Sequence, residues 1–277
     1  MRKTLMQFMK NRSKHSKLIE KGNPRSLYRT PDNCFYWLDE AKYLDKCIIN
    51  TGIFEEKSTE AVKLCVKPGN IVFDIGANIG YYSVLMSKLI EPAGKVFCFE
   101  PTMHYRQVLK QNIDANNATN CEIIPYGLSE TNSSSKISIG ECSATMHWVE
   151  ESSPVNTETI RVYKLDEIID TLNISQIDFI KMDIDGHEPA FFKGAYKTLA
   201  KFNPIILLEV SHINYLDYGV TAWDFYDQLI EMGYKIYYEN NLQEFRDRKD
   251  FLQKCGNFTH SANIIVSRKE LNSIICS

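Results

Sequence analysis

In this chain of 277 residues, one carboxylate stands two positions before a pair of glycines: Asp74-Ile75-Gly76-Ala77-Asn78-Ile79-Gly80. Gly76 and Gly80 can take turn conformations and let the backbone approach a ligand closely. A dinucleotide-binding turn wants G-x-G-x-x-G. Here three residues separate the glycines, and the preceding acid would repel a pyrophosphate. The same acid suits a ligand with an ammonium group. A second carboxylate, Glu100, follows the apolar run Val96-Phe97-Cys98-Phe99 and precedes Pro101. An acid at that place can accept hydrogen bonds from both hydroxyls of a ribose. Together the two acids favour S-adenosylmethionine over a nicotinamide dinucleotide. The expected cofactor-binding set is Asp74, Gly76, Asn78, Gly80, Glu100 and Pro101, completed by Asp183.

Asp183 belongs to a third segment, Lys181-Met182-Asp183-Ile184-Asp185-Gly186-His187-Glu188-Pro189. Carboxylate oxygens are what hard divalent ions take. The acids Asp183, Asp185 and Glu188 nevertheless divide among a strand mouth, a turn and a helix start, so no metal is expected. Pro189 suits a first helical turn, and Glu188 would favour its positive end. An alcohol acceptor benefits from a base, and histidine titrates in the useful range. His212, Asp183 and His187 are the catalytic candidates, with His260 behind them. His212 is preferred because it follows the apolar run Ile205 to Val210. Glu209 lies near the same end, and strand alternation is expected to turn it away.

The elements that would position these residues alternate. Ile71 to Ile75, Val96 to Phe99, a segment ending at Glu122 to Pro125, Ile177 to Ile184 and Ile205 to Val210 are short apolar runs, the mark of buried parallel strands. Tyr81 to Ile90 and Thr102 to Asn116 are helical, with Thr102 as N-cap. Tyr234 to Tyr238 and Ile264 to Ser267 are late strands. The pattern predicts an α/β fold with a parallel sheet covered on both faces. Strands at Lys136 to Ile139 and Thr159 to Tyr163 break the rhythm. With the turn-like Thr131 to Ser135 and the intervening Trp148, they predict a hairpin-like excursion at about 131–163 that holds a substrate.

Composition is that of a globular protein, 44% hydrophobic and 24% charged. The net charge of −3 offers no field that would draw nucleic acid. Between Arg2 and Arg29 there are nine Lys or Arg and a single acid, Glu20. This reads as a flexible basic arm, and residues 1–30 as weakly ordered. Nothing reaches the run of about 18 apolar residues that a membrane helix needs, and no signal-peptide core is present. The eight cysteines are scattered without a C-x-x-C pair, which suits a reducing, cytoplasmic setting.

In order and spacing, the chain resembles the FkbM family of class I S-adenosylmethionine-dependent methyltransferases. The resemblance is carried by Asp74 to Gly80, Phe99-Glu100-Pro101, Leu165-Asp166-Glu167-Ile168, Ile180 to Glu188, Phe192-Lys193-Gly194-Ala195 and Pro204 to Val210. Asp185 and His187 depart from the pattern, which carries Glu before the glycine and often Ala after it. The resemblance implies a Rossmann-like, mostly parallel seven-stranded sheet over residues 51–277, preceded by an extension over 1–50. It also implies O-methylation of a hydroxyl on a sugar, glycan or natural product. The alternatives are N-methylation, a non-catalytic binding module and an NAD(P) oxidoreductase. Oligomeric state is not readable.

Overall fold

The computed structural model describes residues 15–139, 144–145 and 157–271. Trp148 and the first half of the basic arm lie outside them. The central sheet is built from β4 (Ile71–Ile75), β5 (Lys95–Phe99), β6 (Cys121–Ile124), β11 (Phe179–Met182), β12 (Ile205–Val210), β13 (Lys235–Tyr238) and β14 (Ala262–Ser267). Their order is β13-β14-β12-β11-β4-β5-β6. Only β14 runs antiparallel to its neighbours, with Leu208 opposite Ile264 and Tyr237 opposite Ile265. The fold is therefore the α/β, Rossmann-like architecture expected, with a mostly parallel sheet of seven strands.

Side-chain alternation along each strand splits the core into two halves. Val72, Val96, Phe179, Ile205 and Leu207 face α2 (Glu56–Cys65), α3 (Tyr81–Ile90) and α4 (Met103–Ala115). Phe73, Phe97, Ile180, Ile206 and Leu208 face the other side, covered by α6 (Glu188–Gly194), α7 (Tyr196–Phe202) and α9 (Ala222–Glu231). The Thr102 hydroxyl accepts from the Tyr105 N–H at 3.4 Å, capping α4 as expected.

Two smaller sheets flank this frame. The first joins β1 (Lys17–Glu20), β2 (Ser26–Arg29) and β3 (Phe35–Leu38). Lys17–Glu20 and Ser26–Arg29 are thus paired strands where weakly ordered chain was expected. They are held because Asn116 and Asn112 on and beside α4 accept the Phe35 and Trp37 N–H groups at 2.8 and 2.7 Å. Tyr36 also donates its hydroxyl to the Tyr81 carbonyl at 3.0 Å.

The second small sheet follows the order β7-β10-β8-β9, from β7 (Gly127–Leu128), β8 (Ser133–Ile139), β9 (Ala144–Thr145) and β10 (Thr157–Tyr163). Its β8 and β10 are antiparallel, with Ser133 opposite Val162 and Ser135 opposite Ile160. Ser133 to Ser135, read as a turn, is strand because this ladder pairs its backbone groups. No helix among the described residues is long and apolar enough to cross a membrane.

Candidate active site

The β4–α3 turn sits at the carboxyl end of the sheet. Gly76 has φ 80°, and a Cβ there would fall 1.9 Å from the Asp183 carbonyl oxygen, so the turn packs directly against the end of β11. The Gly76 and Ala77 N–H groups both donate to the Phe99 carbonyl at 3.0 Å. The Asn78 N–H donates to Glu100 Oε2 at 2.9 Å. These donors would have to face a pyrophosphate in a dinucleotide site. Here they are taken, which agrees with the departure from G-x-G-x-x-G.

A cavity of about 1030 Å³, including its open mouth, opens over this turn. Its walls include Asp74, Gly76, Asn78, Glu100, Pro101, Asp183 and His187. Gly80 and His212 are not among them. Gly80, at φ 86°, instead admits Leu109, whose Cδ1 would lie 2.4 Å from an added Cβ. Asp74 is 2% exposed and accepts from the Ser83 hydroxyl at 2.5 Å through Oδ2, leaving Oδ1 capacity for another donor. Burial lifts its pKa to about 6, against the lowering influence of Ser83 and Lys181.

Glu100 already holds three donors: Asn78 on Oε2, and the Thr102 N–H and hydroxyl on Oε1 at 2.9 and 2.7 Å. A carboxylate has about four acceptor positions, so one remains for a ribose hydroxyl rather than the two expected. Burial raises the Glu100 pKa, while the bonds from Thr102 and Asn78 oppose the rise. The carboxylates, the glycine gap and the apolar walls Ile79, Phe99 and Leu128 fit a nucleoside joined to an amino acid.

The next strands add residues that the sequence reading passed over. Lys181 is 1% exposed and lines the cavity. Its ammonium lies 3.7 Å from Asp183 Oδ2 and 5.1 Å from the centroid of the Tyr82 ring. Burial alone would lower its pKa; the charges of Asp183, Glu55, Glu209 and Asp74 outweigh burial and raise it. Glu209 is not among the residues lining the cavity, but it lies beside two that are. It extends the face that Leu207 shares with Lys181, and one of its oxygens lies within 4.8 Å of those of Asp183 and Asp185. Ser261 donates to Glu209. Burial and the charge of Asp183 push the Glu209 pKa up to about 9. Glu55 joins through the Tyr82 hydroxyl and the Asn263 amide, each at 3.0 Å. The pairing of β11 with β12 was the available signal, since Lys181 lies opposite Leu207 and places Glu209 one step beyond Met182.

Glu188 closes the following turn. Its two oxygens accept the Ile184 and Gly186 N–H groups, each at 3.1 Å, and Pro189 opens α6 as expected. Burial pushes the Glu188 pKa to about 8.

His187 precedes α6, and its ring meets the Tyr218 ring edge-on at 4.4 Å between centroids. It lines both this cavity and a neighbouring groove. His212, the preferred base, sits elsewhere. It is 1% exposed, its Nδ1 accepts the Ala222 N–H at 3.1 Å, and its ring is closed in by Trp223 and Phe258. Strand order brings residue 210 to the cavity end of the sheet, but the turn into α8 (His212–Leu216) carries this ring into the α9 interface. His260 is exposed, with Nδ1 3.0 Å from the Thr259 hydroxyl.

The chain is 29% identical over 140 residues to the hexuronic acid methyltransferase AglP of Haloferax volcanii, a stretch covering 50% of this chain and 55% of that protein. The chain thus matches about half the length of this curated relative. The crystal structure of methyltransferase FkbM from Methylobacillus flagellatus aligns with a TM-score of 0.43 at 18% identity, covering 76% of this chain and 50% of that one. An S-adenosylmethionine-dependent O-methyltransferase of Thermotoga maritima aligns with a TM-score of 0.45 at 11% identity, covering 91% and 77%. The family described as the methyltransferase FkbM domain matches residues 74–257. That span runs from Asp74, at the end of β4, past His212 and α9, and it makes this chain a member of the FkbM methyltransferase family.

Proposed function

We propose that the chain transfers a methyl group to a hydroxyl of a sugar, with His187 as the base. The observation that carries the assignment is the position of His187, the one catalytic candidate that lines both the cofactor cavity and the adjoining groove. When bound, S-adenosylmethionine supplies a sulfonium methyl. Asp74 would hold its ammonium and Glu100 a hydroxyl of its ribose. Asp183, beside the Lys181 ammonium, accepts a hydrogen bond from the acceptor and orients it. His187 takes the hydroxyl proton as the new C–O bond forms, the S–CH₃ bond breaks and a neutral thioether leaves. The sugar as acceptor draws support from the hexuronic acid methyltransferase among the relatives.

The test is methyl transfer from labelled S-adenosylmethionine to glucuronate-bearing saccharides by the wild type and by His187→Gln. Loss of a general base costs about 10²–10⁴-fold in rate. Affinity for S-adenosylhomocysteine should stay within about twofold. Equal turnover by the two proteins removes His187 from the mechanism, and absence of any transfer to hydroxyls removes the reading itself.

A further inference from the structure

Asp183, Asp185 and Lys181 line the cofactor cavity, and Glu209 stands behind the two acids. One oxygen from each of Asp183, Asp185 and Glu209 lies within 4.8 Å of the others. Carboxylates this close disfavour one another's charge, and burial decides which of them keeps a proton. Glu209 is the one of the three behind the wall. Its surroundings come from several elements. β11 brings Lys181 and Asp183, the turn after it Asp185, and α6 brings Glu188. Ser261, just before β14, donates to its carboxylate. The Tyr215 hydroxyl on α8 goes to the Glu209 carbonyl instead, at 3.3 Å. Asn263, opposite Glu209 on β14, gives its amide to Glu55 at 3.0 Å. Against this excess of acid stands the single Lys181 ammonium. Burial and Asp183 push the Glu209 pKa up to about 9, so its carboxyl is protonated near neutral pH.

S-adenosylmethionine and its demethylated product differ by one methyl group and one positive charge. The sulfur joins the amino-acid arm to the ribose, so that charge lies between the groups assigned to Asp74 and Glu100. Gly76 occupies the same interval. It follows Asp74 by two residues and donates to the Phe99 carbonyl, next to Glu100, at 3.0 Å. It also packs directly on the Asp183 carbonyl. The charge of the ligand thus enters on the side of the cavity where Asp183 stands. A further cation beside these acids favours the ionised form of each.

We propose that Glu209 reads the charge of the cofactor: it holds a proton in the empty protein, releases it when the sulfonium enters, and so favours S-adenosylmethionine over S-adenosylhomocysteine. The O–H bond of the Glu209 carboxyl is the one broken, and its proton goes to solvent. The neutral thioether left after methyl transfer brings no such charge. Glu209 then takes a proton back from solvent, and the product is held less tightly than the substrate. This rests on the placing of the cofactor given above and is independent of the acceptor.

Calorimetric titration of the full chain near pH 7, in buffers of different ionisation enthalpy, counts the protons exchanged with each ligand. The wild type should release about half a proton or more with S-adenosylmethionine beyond whatever S-adenosylhomocysteine releases. Glu209→Gln keeps the shape of the side chain without the titrating group, and it should remove that difference. Its affinity for S-adenosylmethionine should fall by about threefold or more, and that for S-adenosylhomocysteine should stay within about twofold. Equal proton counts for the two ligands on the wild type overturn the proposal, whether or not the variant folds. An unchanged preference in a folded Glu209→Gln overturns it as well. Binding of neither ligand by the wild type defeats the placing of the cofactor and the proposal with it.

Discussion

Asp74 on β4 and Lys181 on β11 are direct partners across the parallel ladder, 2% and 1% exposed respectively. A buried ammonium is costly unless it is surrounded by opposite charge. Lys181 satisfies that condition with acids from four directions in the chain: Asp74, Asp183, Glu209 and Glu55. Removing the ammonium would leave those acids facing one another. Lys181→Met should therefore lower stability by about 3–5 kcal/mol, the cost of breaking a buried pair. Urea unfolding of the variant with an unchanged midpoint would show that the acids do not depend on it.

Cofactor affinity should depend on the ionisation of Asp74. Burial raises its pKa to about 6, and the ionised form is the one that attracts an ammonium. Affinity for S-adenosylhomocysteine should thus be full above that value and should fall as pH drops through it. Asp74→Asn should bind weakly at every pH and lose this dependence. Calorimetry from about pH 5 to pH 8 checks it, and a flat wild-type profile would contradict the assignment.

His212 should matter to stability rather than to rate. His212→Ala leaves the Ala222 N–H without its acceptor at a buried position, at a cost of about 1–3 kcal/mol. Burial lowers the His212 pKa below its ordinary 6.5, so the unfolded chain takes up the proton first. The stability that His212 contributes is whole above pH 6.5 and is lost as pH falls from there toward the depressed folded value. Thermal melts of wild type and variant should converge as pH is lowered through that window, with the pre-melt affinity for S-adenosylhomocysteine alike in both.

Turnover should survive chelation. Asp183, Asp185 and Glu209 bring oxygens within 4.8 Å of one another, a spacing a divalent ion would accept. The Lys181 ammonium already stands 3.7 Å from Asp183 Oδ2 and supplies positive charge there. Exhaustive treatment with a chelator should leave the rate within about twofold. Loss of activity that magnesium or manganese restores would reassign the acids as ligands.

The central sheet was legible because most of its strands are largely apolar runs followed by Gly, Pro or an acid, and burial on both faces leaves little else possible. The turn after β4 was legible for a similar reason: Gly76 stands where only a residue without a Cβ fits against Asp183, and Glu100 stands at the end of an apolar strand. Lys181 and Glu209 were not, because a charged residue in an apolar strand declares its face only once its neighbours are known. The partners β4 and β12 supply that knowledge. His212 misled for the converse reason. Its position at the end of β12 is right, but the turn into α8 carries its ring into the α9 interface and away from the cavity. The N-terminal strands escaped notice because their pairing depends on Asn112 and Asn116, some 75 to 81 residues away.

The place of β14 has a consequence for biosynthesis. It lies between β12 and β13 although it follows both along the chain. While residues 262–267 are still unmade, β13 has no strand to pair with, and β12 stands at an open edge. That edge, Ile205-Ile206-Leu207-Leu208-Glu209-Val210, is apolar enough to template pairing with another nascent chain. Ser261, which donates to Glu209, arrives with the same late strand. Closure of the sheet and completion of the acid cluster are therefore a single event in the life of the polypeptide, and a chain stalled before it is both inactive and adhesive.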